Sequence, residues 1–223
     1  MINNIKILVF LICFLLLSLN NIYSKTNFLV SAGISQPNKE LSNIFNSNSI
    51  KTTDSLNPSL NVINPDFGLA YNITAKLIFD ISDDAEFFGS FGLIKFAKFN
   101  FNLNNPLKNE NAGYVESQTS IYPISAGINY YLIKNPIYIY GIGNLSYNFI
   151  VNTYISDHSK FALTIGRNNT DSRLGFSLGL GFEIPLEQAS IILETIYTNL
   201  NYIGKSSNED TKSLINISAG FRF

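Results

Sequence analysis

Apolar side chains recur at every second position in one segment after another, the period of a strand with one apolar and one polar face. This alternation predicts eight strands, at residues 27–36, 67–81, 87–102, 119–133, 137–154, 173–186, 190–203 and 212–223. The predicted strands are 10–18 residues long. Strands of soluble proteins usually have about 5–6 residues, whereas a tilted membrane strand needs about 9–11. Their length therefore favours strands that cross a membrane.

The two faces of the clearest segments differ in side-chain size as well as in polarity. The sixth segment carries large apolar residues on one face: Leu174, Phe176, Leu178, Leu180, Phe182 and Ile184. Its other face carries small or charged residues: Gly175, Ser177, Gly179, Gly181 and Glu183. A soluble barrel fills its interior with bulky aliphatic residues. The pattern instead predicts apolar side chains facing lipid, around a narrow lumen filled by small residues and a few ions.

The other segments follow this pattern with different regularity. The second and fourth segments alternate as cleanly as the sixth, whereas the third, fifth and seventh are less regular. Lys95 and Lys98 both lie in the irregular third segment. A bulge, which adds one residue to a strand, would repair its alternation if it fell within residues 95–99.

The connections between the segments alternate between long and short. Four of them are long and polar: residues 37–66, 103–118, 155–172 and 204–211. Three of them are tight: residues 82–86, 134–136 and 187–189. This order is expected when both ends of a barrel lie on one side of a membrane, with long loops outward and short turns in the periplasm.

The beginning of the chain predicts secretion. Lys6 is followed by the apolar residues 7–19 and by the small Ser24, which is the pattern of a secretory signal peptide. The apolar run is shorter than the ~20 residues of a membrane-spanning helix. We therefore expect residues 1–24 to be removed and residues 25–223 to form the barrel domain.

Composition excludes several kinds of chemistry for the predicted mature chain. Cys13, the only cysteine, lies in the signal segment, so we expect neither disulfides nor cysteine metal sites. Without Lys6 the chain has 14 basic and 16 acidic residues, which gives no electrostatic case for nucleic acid. We find no metal-ligand spacing and no cofactor-binding motif, so we predict no metal and no cofactor.

The final nine residues alternate without a break and end on an aromatic residue. Their apolar face consists of Ile215, Ile217, Ala219, Phe221 and Phe223. Their polar face consists of Asn216, Ser218, Gly220 and Arg222. This segment resembles the closing strand of bacterial outer-membrane barrels. The resemblance implies that four of its residues form the signal read by the barrel-assembly machinery: Ile217, Ala219, Phe221 and Phe223.

With its signal segment, loop asymmetry and eight alternating segments, the whole chain resembles the small eight-stranded outer-membrane β-barrels of the OmpA/OmpX-like superfamily. The resemblance implies an all-β, antiparallel, up-and-down transmembrane barrel, monomeric and surrounded by the lipid of the bacterial outer membrane. It also implies a role in envelope integrity, adhesion or surface interaction, without catalysis. We expect any extracellular ligand or surface to meet the long loops, above all residues 37–66.

Four charged residues in the predicted strands are candidates for the lumen: Lys76, Glu183, Glu194 and Arg222. Charges in a narrow lumen are costly unless they pair. The seventh and eighth predicted strands are adjacent, so Glu194 and Arg222 are the most natural couple. Such a network either plugs the barrel or gates a pore for small solutes.

Two further alternatives belong to other functional classes. His158, the only histidine, precedes Ser159 in a long loop and invites comparison with outer-membrane enzymes that modify lipid A. Adjacent residues rarely form a working catalytic group, because geometry rather than sequence position defines it. A soluble lipocalin-like binder would also alternate, and an apolar interior would distinguish it.

Overall fold

The computed structural model describes residues 26–37, 50–52, 61–63, 68–105, 110–158, 163–165, 168–204 and 211–223. The predicted signal peptide, residues 1–24, lies outside these ranges. The described residues contain twelve strands: β1 Thr26–Pro37, β2 Ile50–Thr52, β3 Asn61–Ile63, β4 Ala70–Ser82, β5 Ala85–Phe96, β6 Phe99–Asn105, β7 Glu110–Lys134, β8 Tyr138–Asp157, β9 Leu163–Ile165, β10 Asn168–Pro185, β11 Ser190–Ile203 and β12 Ser213–Arg222. None of the described residues forms a helix with the length and hydropathy needed to span a bilayer.

Eight of these strands form a closed antiparallel ring in the order β1, β4, β5, β7, β8, β10, β11, β12. The ring closes where β12 pairs with β1, from Leu29 opposite Arg222 to Pro37 opposite Leu214. The predicted all-β, eight-stranded up-and-down barrel is therefore confirmed. The connections from β4 to β5, from β7 to β8 and from β10 to β11 are the short ones, so all three lie at the end of the barrel that also holds the start of β1. We call this end the turn end and the opposite end the loop end.

The wall of the barrel continues beyond the ring at the loop end. β7 has 25 residues and pairs first with β6 and then with β5. β3 pairs with the edge of β6 that faces away from β7. The prediction that residues 103–118 and 155–172 are loops is therefore wrong for most of their described positions. Residues 110–118 and 168–172 are polar at most positions, so alternation does not reveal these strands, although their backbone pairing continues.

The predicted bulge in the third segment is confirmed. Lys95 lies opposite Ser120 and Phe99 lies opposite Ser117, so β5 and β6 advance four residues while β7 advances three. One extra residue therefore interrupts the third segment between β5 and β6.

The outward faces of β4, β7, β10 and β12 are apolar and exposed, as their alternation predicts. The interior, however, is not filled only by small residues and ions. Two clusters of large apolar side chains are buried in it. The cluster near the loop end consists of Ala70, Ile94, Phe96, Ile121, Ile150, Leu200 and Leu214. The cluster nearer the turn end consists of Leu29, Ile78, Phe88, Tyr131, Tyr140, Ile142 and Ile192.

Most of these buried apolar residues come from β5, β8 and β11, the strands with the least regular alternation. Those strands carry large apolar side chains on both faces, which hides the two-residue period. Small residues on other strands provide the space. Gly181 lies opposite Tyr140, and a Cβ atom at Gly181 would meet the tyrosine ring. The lumen is thus filled by large residues packed against glycines, as an eight-stranded barrel requires.

Candidate functional site

The outward positions of the barrel strands form a continuous apolar band. Leu145, Leu178 and Phe221, on β8, β10 and β12, are each more than half exposed. The other five barrel strands also expose large apolar side chains. Exposing this much apolar surface to water would cost about 25 cal/mol per Å². Soluble monomers rarely expose contiguous apolar surface of this extent. The band therefore fits hydrocarbon, and it argues against a soluble lipocalin-like barrel.

Inside the barrel, four side chains form a network that we call the turn-end cluster: Glu86, Tyr131, Glu183 and Arg222. The Arg222 guanidinium donates to Glu86 Oε1 at 2.6 Å through Nη2 and to Glu183 Oε2 at 3.2 Å through Nη1. Its Nη1 also donates to the Tyr131 hydroxyl at 2.7 Å, which itself lies 3.0 Å from both carboxylates. Because one cation bridges two carboxylates, the cluster ties together β5, β10 and β12.

A cavity of about 640 Å³ opens at the turn end beside this cluster, and we call it the vestibule. Its lining includes Glu86, Glu183 and Arg222 together with the more exposed Asp80 and Lys134. The turn-end cluster is thus the charged lining of a cavity that is open to solvent.

A second ion pair lies deeper in the barrel, and we call it the central pair. Lys76 Nζ lies 2.6 and 2.7 Å from the two carboxylate oxygens of Glu194, and both side chains are nearly inaccessible. The Tyr140 hydroxyl donates to Glu194 Oε1 at 3.1 Å. The Lys76 ammonium also lies 5.0 Å from the centre of the Phe88 ring, within cation–π range. Each charge is therefore neutralised and hydrogen-bonded, as burial requires.

The expected couple of Glu194 with Arg222 is wrong. Glu194 lies opposite Ser218 in the β11–β12 register, whereas Arg222 lies opposite Ser190. Four residues along a strand correspond to about 13 Å, so the two side chains belong to different layers. Adjacency of the two strands did not predict the partners, because Glu194 and Arg222 each pair with charges on strands that are not their neighbours in the barrel.

Glu86 and Tyr131 are members of the turn-end cluster that sequence reasoning missed. The predicted turn at residues 82–86 includes Glu86, but β5 already begins at Ala85. An inward position for Glu86 follows once the strand is extended, because Phe88 and Glu86 are two residues apart and both are buried. The alternation of the fourth segment places Tyr131 on the inward face of Asn129 and Tyr130 on the outward face, but a search for charged lumen residues does not select a tyrosine.

Between the central pair and the loop-end apolar cluster lies a cavity of about 70 Å³, which we call the chamber. Serine, threonine and asparagine side chains form most of its lining. Asn148 is fully buried and donates to the Leu200 carbonyl at 2.8 Å, while its Oδ1 has no hydrogen-bond partner within the described part of the chain. The chamber has the polarity and the volume for a few water molecules but not for a larger solute.

The remaining candidate residues lie outside the lumen. Those of the expected assembly signal, Ile217, Ala219, Phe221 and Phe223, face outward and are exposed. His158 follows β8 at the loop end, where its ring centroid is 4.5 Å from that of Tyr114. Ser159 lies outside the described residues. Within the described ranges, no three His, Cys, Asp or Glu residues are grouped to hold a metal ion.

A closed eight-stranded antiparallel barrel with an outward apolar band and a filled interior defines the class of small bacterial outer-membrane β-barrels. No protein-family model matches the chain, and no curated protein matches it. Neisserial surface protein A, a solved structure, is 14% identical, over 88% of this chain and 95% of its own, with a TM-score of 0.53. A major outer membrane protein from Thermus thermophilus is 13% identical, over 89% and 99%, with a TM-score of 0.52. At these identities the likeness establishes the fold and not the role.

Proposed function

We propose that this chain is an integral outer-membrane protein with a structural and surface-interaction role, acting in envelope integrity or adhesion, and that it performs no catalysis. In this proposal residues 1–24 are a cleaved signal peptide, and the mature barrel is a monomer in outer-membrane lipid. Ile217, Ala219, Phe221 and Phe223 are the signal for the barrel-assembly machinery. The proposed role is supported by a contrast between the lumen of the barrel and its loop end.

The observation that supports this role is that side chains fill the lumen, while the wall of the barrel extends beyond the apolar band at the loop end. The lumen holds two apolar clusters and two charged groups, which leave a chamber of only about 70 Å³ between them. At the loop end, by contrast, β3, β6 and residues 110–118 of β7 form a sheet that extends beyond the band. A barrel of this kind is suited to holding a surface outside the membrane rather than to passing solutes through it.

Two experiments test the proposal in turn. Envelope fractionation and gel mobility before and after boiling should place the protein in the outer-membrane fraction as a heat-modifiable barrel. A soluble periplasmic protein without such a mobility change would overturn the membrane assignment.

The second experiment removes the sheet and keeps the barrel. Residues 101–115, which belong to β6, β7 and their connection, are replaced by a two-residue Asn-Gly turn. Adhesion of cells to abiotic and host surfaces, and their survival in bile salts, are compared for the intact protein, this variant and no protein. Folded variant protein with reduced adhesion would support surface interaction. Equal behaviour of all three strains in both assays would exclude both roles.

A small-solute pore is the second candidate, because the vestibule and the chamber lie on opposite sides of the central pair. Opening a path would require Lys76 and Glu194 to separate. We expect planar bilayers that contain the protein to conduct no more than bare membrane. Discrete conductance steps in the wild-type protein would favour the pore.

The lipid-modifying alternative requires His158 to act with a serine near the outer leaflet. The observed ring contact between His158 and Tyr114 gives no support for a hydrogen-bonded catalytic pair. We expect lipid A profiles to be identical in cells with and without the protein. A change in acylation that disappears in His158→Gln would favour an enzyme.

A further inference from the structure

Charged side chains are absent from the outward positions of the eight barrel strands within the apolar band, with one exception at its loop-end edge. That exception is Lys95 on β5. It lies opposite Tyr71 on β4 and Ser120 on β7, and Tyr71 is about half exposed on the same outward face. Tyr122 on β7 is also exposed, two residues from Ser120. Tyrosines on the rim of such a band mark the headgroup level of a bilayer.

The bulge brings a second lysine to this outward face. In an unbroken strand Lys98 would share the inward face of Phe96, which is buried, because residues two apart face the same side. The extra residue between Lys95 and Phe99 shifts the alternation, and Lys98 is exposed. Two lysines three positions apart therefore lie on one side of the wall, where regular pleating would separate them.

Neither lysine has a carboxylate partner among the residues that the structure describes. Within the described residues, no ion pair includes the ammonium of Lys95 or Lys98, whereas Lys76, Lys134, Arg173 and Arg222 each contact a carboxylate. An ammonium group on a flexible stem can reach from the edge of the hydrocarbon into the headgroup layer. Two positive charges at this level that pair with no carboxylate of the described ranges are complementary to anionic headgroups.

We propose that Lys95 and Lys98 bind the phosphate groups of an anionic lipid in the leaflet on the loop side of the barrel. In the outer membrane that lipid is a bisphosphorylated glycolipid of the lipid A type. The position of Lys95 favours a lipid over free phosphate as the ligand. Lys95 lies at the rim of the apolar band, where acyl chains contact the wall beneath the headgroup. Tyr71 and Tyr122 complete the site as amphipathic side chains beside the phosphates. The inference rests on the proposed location in the outer membrane.

The test uses the full mature chain, purified as a heat-modifiable barrel in detergent, and measures lipid binding by native mass spectrometry. The probes are bisphosphorylated lipid A, enzymatically dephosphorylated lipid A and inorganic phosphate. Lys95→Gln/Lys98→Gln should weaken binding of bisphosphorylated lipid A by roughly tenfold to thirtyfold, because each lysine near an anionic headgroup contributes on the order of 1 kcal/mol. The dephosphorylated lipid should bind the wild type about as weakly as the bisphosphorylated lipid binds the double variant.

Two matched variants keep the test specific. Lys95→Arg/Lys98→Arg retains both charges and should bind within about twofold of the wild type, while Lys134→Gln removes one charge at the turn end and should change nothing. Equal affinity of the double glutamine variant and the wild type would overturn the site, as would equal binding of the two lipids or displacement of lipid A by millimolar phosphate. A chain that never forms a heat-modifiable barrel would instead overturn the proposed membrane location.

Discussion

The two charged groups inside the barrel differ in how many partners share each charge. In the turn-end cluster, Arg222 donates to two carboxylates and a tyrosine hydroxyl beside an open vestibule, and Asp80, at 3.9 Å, is a third carboxylate in ion-pair range. In the central pair, Glu194 is the one carboxylate that neutralises Lys76 among the described residues, and both side chains are buried. Water in the open vestibule can solvate a charge that loses its partner, whereas the centre borders only the small chamber. We therefore expect the loss of one partner to destabilise the barrel less in the turn-end cluster than in the central pair.

The same contrast bears on function. The turn-end cluster leaves its carboxylates beside a cavity of about 640 Å³, so this end of the lumen is open to solvent. The central pair, packed with Phe88 and Tyr140, separates that space from the chamber. The central pair is therefore one barrier along the lumen and the loop-end apolar cluster is another. The variants that follow probe the two charged groups in order of expected effect.

Breaking the central pair should have the largest effect. Lys76→Met leaves Glu194 buried without a counter-ion, and we expect a loss of about 3–5 kcal/mol in the free energy of unfolding. The measurement is equilibrium unfolding in urea of the protein folded into lipid vesicles, followed by unheated gel mobility. The double variant Lys76→Met/Glu194→Gln should recover most of the loss, because no charge remains unpaired.

The exposed pair of Lys134 with Asp84 is the control for this prediction, since its ions are 3.3 Å apart but accessible to water. Lys134→Met should cost less than about 1 kcal/mol. Losses of the same size for Lys76→Met and Lys134→Met would show that the centre is hydrated, and the distinction between the two regions would fail.

Removing the shared cation of the turn-end cluster should have a smaller effect. Arg222→Met leaves Glu86 and Glu183 without their guanidinium, but the vestibule can hydrate both, so we expect a loss of about 2–3 kcal/mol. The same unfolding assay applies, with Arg173→Met as a control at the loop end. A loss greater than that of Lys76→Met would reverse the comparison.

A packing change can disturb the central pair without removing a charge. A Cβ atom at Gly181 would meet the Tyr140 ring, so Gly181→Ala must displace the ring and its hydroxyl from Glu194. We expect a loss of about 2 kcal/mol from overpacking. Gly141→Ala is the matched control, because its Cβ would meet nothing within 4 Å. In a Tyr140→Ala background the penalty of Gly181→Ala should disappear, and its persistence would contradict this explanation.

Sequence alternation predicted the barrel well because a lipid-facing strand has a large contrast between its faces. The strand β11, Ser190–Ile203, has the bounds that the pattern predicts, and the bulge between Lys95 and Phe99 was found because it breaks that pattern. The extension of β7 to Glu110 was not predicted, since polar side chains on both faces leave no period to detect.

The partners inside the lumen could be predicted less well than the residues themselves. Lys76, Glu183, Glu194 and Arg222 are all buried or half-buried and all contact opposite charges. Which charges meet depends on the stagger of the strands and on the width of the lumen, and a list of inward positions fixes neither quantity. Lys76 and Glu194 are 118 residues apart in the chain, and only the closed ring brings them together.

The smallest expected effects come from removing one hydroxyl from each region. The Tyr140 hydroxyl donates to Glu194 in a dry environment, and Tyr140→Phe should cost about 1.5 kcal/mol. The Tyr131 hydroxyl lies 3.0 Å from both Glu86 and Glu183, but it has one hydrogen to donate, and Arg222 already holds both carboxylates. Tyr131→Phe should therefore cost less than about 1 kcal/mol, because water in the vestibule can replace the lost contact. The difference between these two substitutions measures how dry the centre is, since both remove the same oxygen from the same kind of ring. If Tyr131→Phe proved the more damaging in the urea assay, the turn-end cluster rather than the central pair would be the group that stabilises the lumen.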